Sequence, residues 1–272
     1  MLETIQPSDL KVRHRKMWAS GDYPNVARRL IPRLGDRLVL AAQVGPGDRV
    51  LDVAAGSGNA AIPAAALGAT VVASDLTPEL FNAGRLEAAS RGVELVWDVG
   101  DAESLPYSDS RFDIVMSCVG VMFAPHHQLA ADEILRVVRP GGTIALLNWT
   151  PEGFIGQMLA TLKPFAPAPP PGAAAPPLWG RAGYVEELFG DGVRDLTCVR
   201  ECVQVVGFDS GAQIRDFFKA NYGPVIAVYA ALTAGAPERI ADLDSALAEL
   251  GDGHIQDEEM QWEYVIITAK RS

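Results

Sequence analysis

Short apolar runs alternate with segments of helical spacing through the first 150 positions of the chain. Val50 to Val53 leads into a glycine turn and an alanine-rich stretch, and a second apolar run ends at Asp75. Thr77-Pro78 reads as an N-cap followed by a first helical residue and Arg91-Gly92 as a stop, which predicts a helix over Pro78 to Ser90. Val93 to Val99 predicts a third strand and Phe112 to Met116 a fully buried fourth. Ala130, Ile134, Val137 and Val138 recur at i, i+4, i+7 and i+8, an apolar helix face that Arg139-Pro140-Gly141-Gly142 closes before a fifth strand at Thr143 to Trp149. Strands and helices alternating in this way predict an α/β fold, a parallel doubly wound sheet whose ligands sit beyond the carboxyl ends of its strands.

Outside that stretch the pattern divides the chain further. Positions 1–48 predict a helical cap anchored by Trp18, Tyr23 and Leu30, closed by the turn Gly45-Pro46-Gly47-Asp48. Positions 49–150 form the binding core. Positions 151–190 carry PFAPAPPPGAAAPP at 164–177, too proline-rich for a helix or inner strand, and read as a lid or substrate segment. In positions 191–272, Val199 to Val206 and Trp262 to Thr268 read as late strands, separated by helical segments around Ala212 to Ala220 and Pro237 to Leu250.

Composition narrows the partners. The 272 residues are 49% hydrophobic and carry a formal net charge of -11, enough apolar material for a sizeable core and a poor match to a phosphate backbone or an anionic bilayer. Nucleic acid and membrane are therefore not expected partners, and a small molecule is. The basic cluster Lys11, Arg13, His14, Arg15 and Lys16 reads as a solvated helix face outside the site. Cys118, Cys198 and Cys202 show no CxxC spacing, and no apolar run reaches the roughly 18 residues that span a bilayer, so a soluble, cytoplasmic protein without a metal is expected.

The chemistry concentrates between Val50 and Asp75. Gly56 and Gly58 allow a tight strand-to-helix turn, and the helix that follows offers unpaired N–H groups to an anion. Asp75, at the next strand end, suits ribose hydroxyls. Gly56-Ser57-Gly58-Asn59-Ala60-Ala61 formally satisfies a dinucleotide fingerprint, which keeps an NAD-dependent oxidoreductase as an alternative. Asp52 before the turn and Asp101 after the third strand argue for a different ligand. S-adenosylmethionine has an ammonium, a carboxylate, a ribose and an adenine, and it employs Asp52, the helix start, Asp75 and Asp101 together.

The chain resembles the class I S-adenosylmethionine-dependent methyltransferases, nearest to the ubiquinone/menaquinone C-methyltransferase-like group. VLDVAAGSGNA, VVASDLTPEL, VGDAESLPY, FDIVMSCVGVMF and ADEILRVVRPGGTIALLNW, within residues 49–150, carry the resemblance. It implies a Rossmann-like, mostly parallel seven-stranded sheet whose last two strands form a reversed hairpin, with N-terminal helices and an inserted segment after the fifth strand. The family's acid and three alternating glycines fall on Asp52, Ala54, Gly56 and Gly58, with Ser57 between the last two. Ala54 replaces the first glycine, a change compatible with the turn if its φ stays negative. By the same resemblance Asp75 takes the ribose and Leu76 an adenine face. Asp101 accepts from the adenine amino group with Ala102 and Glu103 alongside, and Ser117 and Cys118 meet the methionine part.

A sulfonium methyl is already activated, so in-line transfer needs positioning and exclusion of water more than acid–base chemistry. A weakly acidic acceptor would also need a base, for which His126 and His127 are the candidates. Trp18, Tyr23, Phe154, Trp179 and Tyr222 are the candidate substrate residues, and their aromatic character favours a small, largely apolar or aromatic acceptor. Ser117-Cys118-Val119-Gly120 stands where an Asn-Pro-Pro-Tyr motif would indicate methylation of amino groups on adenine or glutamine. A non-catalytic S-adenosylmethionine-binding protein is the second alternative.

Overall fold

The computed structural model describes residues 9–272; the first eight positions of the expected 1–48 cap lie outside the described residues. Three helices, α1 (Asp9–Ala19), α2 (Tyr23–Leu30) and α3 (Leu34–Ala41), precede the sheet. Its strands are β1 (Arg49–Val53), β2 (Thr70–Asp75), β3 (Val96–Val99), β4 (Phe112–Cys118), β5 (Val138–Trp149), β6 (Val193–Val206) and β7 (Glu259–Arg271). They lie in the order β3-β2-β1-β4-β5-β7-β6. β1 to β5 are parallel, and β7 runs against both of its neighbours. The mostly parallel seven-stranded sheet is as expected.

The chain moves outward through β1, β2 and β3 and then returns to place β4 on the other side of β1. That reversal opens a crevice at the carboxyl ends of β1 and β4, where ligands of doubly wound sheets bind. The crossovers are α4 (Ala61–Ala66), α5 (Phe81–Ser90) and α6 (His127–Val137). β1 and β4 are buried almost throughout because helices cover both faces of the sheet.

Several local boundaries differ from the sequence pattern. The third strand begins at Val96, not Val93, and the fifth begins at Val138, because Arg139-Pro140-Gly141-Gly142 continues the strand through a register shift against β4. The helix expected over 78–90 opens as a 3-10 turn at Pro78–Leu80 before α5. Thr77 makes no side-chain cap there; its backbone N–H instead donates to Asp75 Oδ1 at 2.7 Å. The inserted segment contains α7 (Phe154–Leu162) and α8 (Ala182–Phe189) around an irregular stretch, tied to the core where Ala174 N–H donates to Pro125 O at 2.9 Å.

The connection from β6 to β7 holds α9 (Gly211–Asn221), α10 (Gly223–Gly235) and α11 (Ile240–His254), so the last two strands are not a tight hairpin. α10 escapes pattern reading because it is apolar nearly all round, without the polar face that marks a surface helix. It matters for the site. Gly223 lets α10 approach the backbone of Met17 and Trp18 closely; a Cβ there would collide with Met17 O. The insertion thereby presses α1 onto the crevice. Among the described residues, no helix is long and apolar enough to cross a membrane.

Candidate functional site

The crevice is a cleft of roughly 750 Å³ with its open mouth included. Its floor comes from the turns that end β1 and β2. Asp75, only 8% exposed, joins them: Oδ2 accepts from Gly56 N–H at 2.8 Å and Oδ1 from Thr77 N–H at 2.7 Å. Burial raises its pKa, against the opposing pull of those two N–H groups. Each oxygen keeps a lone pair for a further donor from the cleft. Gly56 stands at φ 56° and Gly58 at φ 86°. Ala54 stands at φ 54°, not at the negative φ under which its methyl was expected to be harmless. Val119, next to the Gly120 that packs on Ala54, is also left-handed at φ 48°, an uncommon posture for a β-branched residue and one that concentrates at functional sites.

Several sequence candidates line the cleft: Asp101 and Ala102 past β3, Asp75 and Leu76 at β2, Ala54 and Gly56 past β1, and Cys118 at the end of β4. Trp18 and Tyr23 close it from α1 and α2. The Cys118 thiol is pushed up by burial and by Asp52, and the Tyr23 phenol by burial and by Cys118, Tyr222, Asp75 and Asp52. Both stay protonated at neutral pH.

Other candidates lie elsewhere. Asp52, 1% exposed, stands behind the wall, and neither carboxylate oxygen has a hydrogen-bond partner of good geometry among the described residues. Burial lifts its pKa from 3.8 to about 8, against the pull of the Ala61 N–H. Ser117 is a brace: its Oγ donates to Val53 O at 2.7 Å and accepts from Val121 N–H at 2.9 Å, fastening the end of β4 to the end of β1. Ser57 and Gly58 face a separate groove beside Ile62 and Arg91. The helix beyond them, α4, starts only at Ala61 and is six residues long, so the expected row of helix donors does not reach the cleft.

His126 and His127 do not line the cleft. His126 is held by Glu103, its N–H at 2.8 Å and its Nδ1 at 3.0 Å. His127 is 2% exposed, with Nδ1 3.0 Å from Tyr184 Oη and Nε2 3.2 Å from Met122 O, and burial lowers its pKa to about 4. A buried neutral ring with both nitrogens engaged is a packing element. Phe154 stacks on Trp262 at 5.1 Å, Trp179 packs on His127 at 5.6 Å, and Tyr222 stands behind Trp18 at 5.6 Å; these three are core, not wall.

The sequence reading missed Lys11 and His14, which line the cleft from α1. The basic cluster predicts a solvated face for Lys11, yet its side chain is 11% exposed, with Nζ 2.8 Å from Asp101 Oδ1 and 2.8 Å from Glu103 Oε2. Burial opposes ionisation of Glu103, but hydrogen bonds from Lys11 and His126 outweigh it and hold its carboxyl below the usual range. The available signal was spacing. Lys11, His14 and Trp18 fall at i, i+3 and i+7, a single helix face. Val119, Phe123 and Ala124, also missed, complete the wall past β4, with Phe123 4.9 Å from Trp18.

Comparison with known proteins follows the same lines. Residues 51–146 match the model of the methyltransferase domain family. The chain is 48% identical to an uncharacterized protein of Mycobacterium tuberculosis over 96% of its own length and 95% of that protein. It is 39% identical to a demethylmenaquinone methyltransferase of a Mycobacterium species over 40% of this chain and 45% of that one. The YcgJ protein of Bacillus subtilis shares the fold with a TM-score of 0.59 at 17% identity, over 88% of this chain and 98% of the other.

Two outcomes follow from the local geometry. Ala54→Gly removes a left-handed alanine at a cost in chain entropy and should be neutral to stabilising, by up to about 1 kcal/mol, in urea unfolding. Asp52 releases its proton near 3.8 when unfolded and near 8 when folded, so its contribution to stability is full below the lower value and drains away as pH rises to the upper one. Asp52→Asn should flatten that decline. Denaturation midpoints of the ligand-free protein and the variant, taken across this range, measure it.

Proposed function

We propose that this chain, which belongs to the class I S-adenosylmethionine-dependent methyltransferases, transfers the methyl group of that cofactor directly and in line to a small, largely apolar or aromatic molecule. The observation that carries the choice of acceptor is the wall past β1 and β4. There Trp18, Tyr23, Val119, Phe123 and Ala124 meet the cleft without a charged side chain among them. Such a surface rewards apolar contact and ring packing and excludes water.

The cofactor supplies an activated sulfonium methyl. The residues present suit it. Asp75 retains acceptor capacity for ribose hydroxyls, and Leu76 and Ala102 offer apolar contact to an adenine. Asp101 lies at the far end of the cleft as an acceptor for the amino group. Ala54, Gly56 and Cys118 border the opposite end, where the methionine part belongs, and Asp52 stands behind them as a dry, unpaired carboxyl that an approaching ammonium would favour in its charged form. Catalysis then consists of holding the acceptor against the methyl in a dry site, where effective concentration accounts for much of the acceleration. His126 and His127 take no part in this reading: neither lines the cleft, Nδ1 of His126 is directed to Glu103, and the two ring nitrogens of His127 to Tyr184 and Met122.

The direct test is radiolabelled methyl transfer from S-adenosylmethionine into extracts of the source organism, with mass identification of the product. A labelled small apolar or aromatic product is expected, and label confined to protein or nucleic acid overturns the proposal. Asp75→Ala should weaken S-adenosylhomocysteine binding by roughly 1–3 kcal/mol, the scale of lost buried hydrogen bonds to a charged acceptor. Titration calorimetry on the two proteins checks it, and unchanged affinity removes Asp75 from the site.

A further inference from the structure

Lys11 is the single buried residue of α1. The second half of that helix is seated by Trp18 against Phe123 and Tyr222 and by the close approach of α10. Ion pairs also hold the helix. One of these, Arg15 to Glu79 at 2.7 Å, is nearly half exposed on both sides and contributes little. The other is Lys11, which bridges Asp101 and Glu103 beyond the end of β3. With a rise of about 1.5 Å per residue, Trp18 lies roughly 10 Å along the helix from Lys11. α1 therefore crosses the mouth of the cleft from the Asp101 end to the Phe123 end.

The bridge also orients Asp101. Its Oδ1 accepts from Lys11 Nζ at 2.8 Å and from Glu103 N–H at 3.0 Å. Among the described residues no hydrogen bond engages Oδ2, and Asp101 lines the cleft. One oxygen is fixed, and the other remains as an acceptor for a donor that enters.

We infer that Lys11 is a positioning residue for the nucleoside: it fixes Asp101 so that one oxygen accepts from a purine 6-amino group, and it latches α1 over the bound cofactor. This rests on the reading of the cleft as an S-adenosylmethionine site. Two consequences distinguish it from a merely structural ion pair. Release of the nucleoside requires the latch to open, so the pair controls the dissociation rate. A 6-oxo purine presents an acceptor to the fixed oxygen and is rejected, and the rejection weakens once the carboxylate is free to turn.

The test uses the full chain, S-adenosylhomocysteine and its 6-oxo analogue, S-inosylhomocysteine, with Lys11→Met and Lys11→Arg. Dissociation is followed by tryptophan fluorescence in stopped flow, and hydrogen exchange reports residues 9–19. Wild type is expected to bind the 6-amino compound with α1 protected and to discriminate against the 6-oxo one. Lys11→Met should dissociate roughly tenfold faster or more, as truncation of one member of a buried charge pair acts mainly on release. It should also discriminate less and lose the protection over residues 9–19. Lys11→Arg should restore most of the slow release. Wild-type binding with unchanged release and discrimination in Lys11→Met overturns the latch alone. Failure of wild type to bind S-adenosylhomocysteine overturns the cofactor reading, and the latch with it.

Discussion

One buried carboxylate holds the cleft together. Asp75 takes an N–H from the turn after β1 on one oxygen and an N–H from the turn after β2 on the other. Together with the Ala55 N–H that donates to Ser74 O at 3.0 Å, these bonds lock the two loops at a common spacing, and Gly56, Leu76 and Thr77 face the same space. Ser117 does the equivalent job between β1 and β4, as donor to one strand end and acceptor from the next turn. Side-chain to backbone bonds of this kind are costly to leave unmade once buried, which makes the frame rigid where the ligand must be met.

Backbone strain accumulates inside that frame. Ala54 and Val119 are both left-handed, and Gly120 packs so closely against Ala54 O that no Cβ fits there. The turns after β1 and β4 thus press on each other at the end of the cleft assigned to the methionine part. Residues held in sparsely populated torsions persist only where the surroundings over-determine them. Here the parallel strands below and the Ser117 brace supply the restraint.

The charge distribution is uneven in a useful way. The chain is strongly acidic overall, yet the cleft receives a cation from Lys11 at one end and has behind the other a buried acid, Asp52, whose pKa burial raises. Trp18, Tyr23, Val119, Phe123 and Ala124 supply the aromatic and aliphatic part of the wall. The roof that carries Lys11 and Trp18 is itself packed against α10, an element inserted between the last two strands, so a part of the fold far along the chain braces the site.

Local chemistry was enough to read the alternation of strands and helices, the glycine turn, and acids at the ends of β2 and β3, because strand period and turn torsions are short-range properties of the chain. Those residues meet at the cleft since a parallel sheet brings all its carboxyl ends to one edge. Side-chain destinations were not legible. Lys11 meets a carboxylate 90 positions away; Phe154 and Trp179 look like pocket aromatics but are consumed by the core; His126 and His127 follow a strand end yet turn toward Glu103, Tyr184 and Met122. Asp52 belongs to the family pattern but is directed behind the wall, and α10 has no amphipathic signature because it is covered on most sides. In each case a long-range packing decision, made by elements far apart in the chain, determined whether a chemically suitable group faces the ligand or the interior.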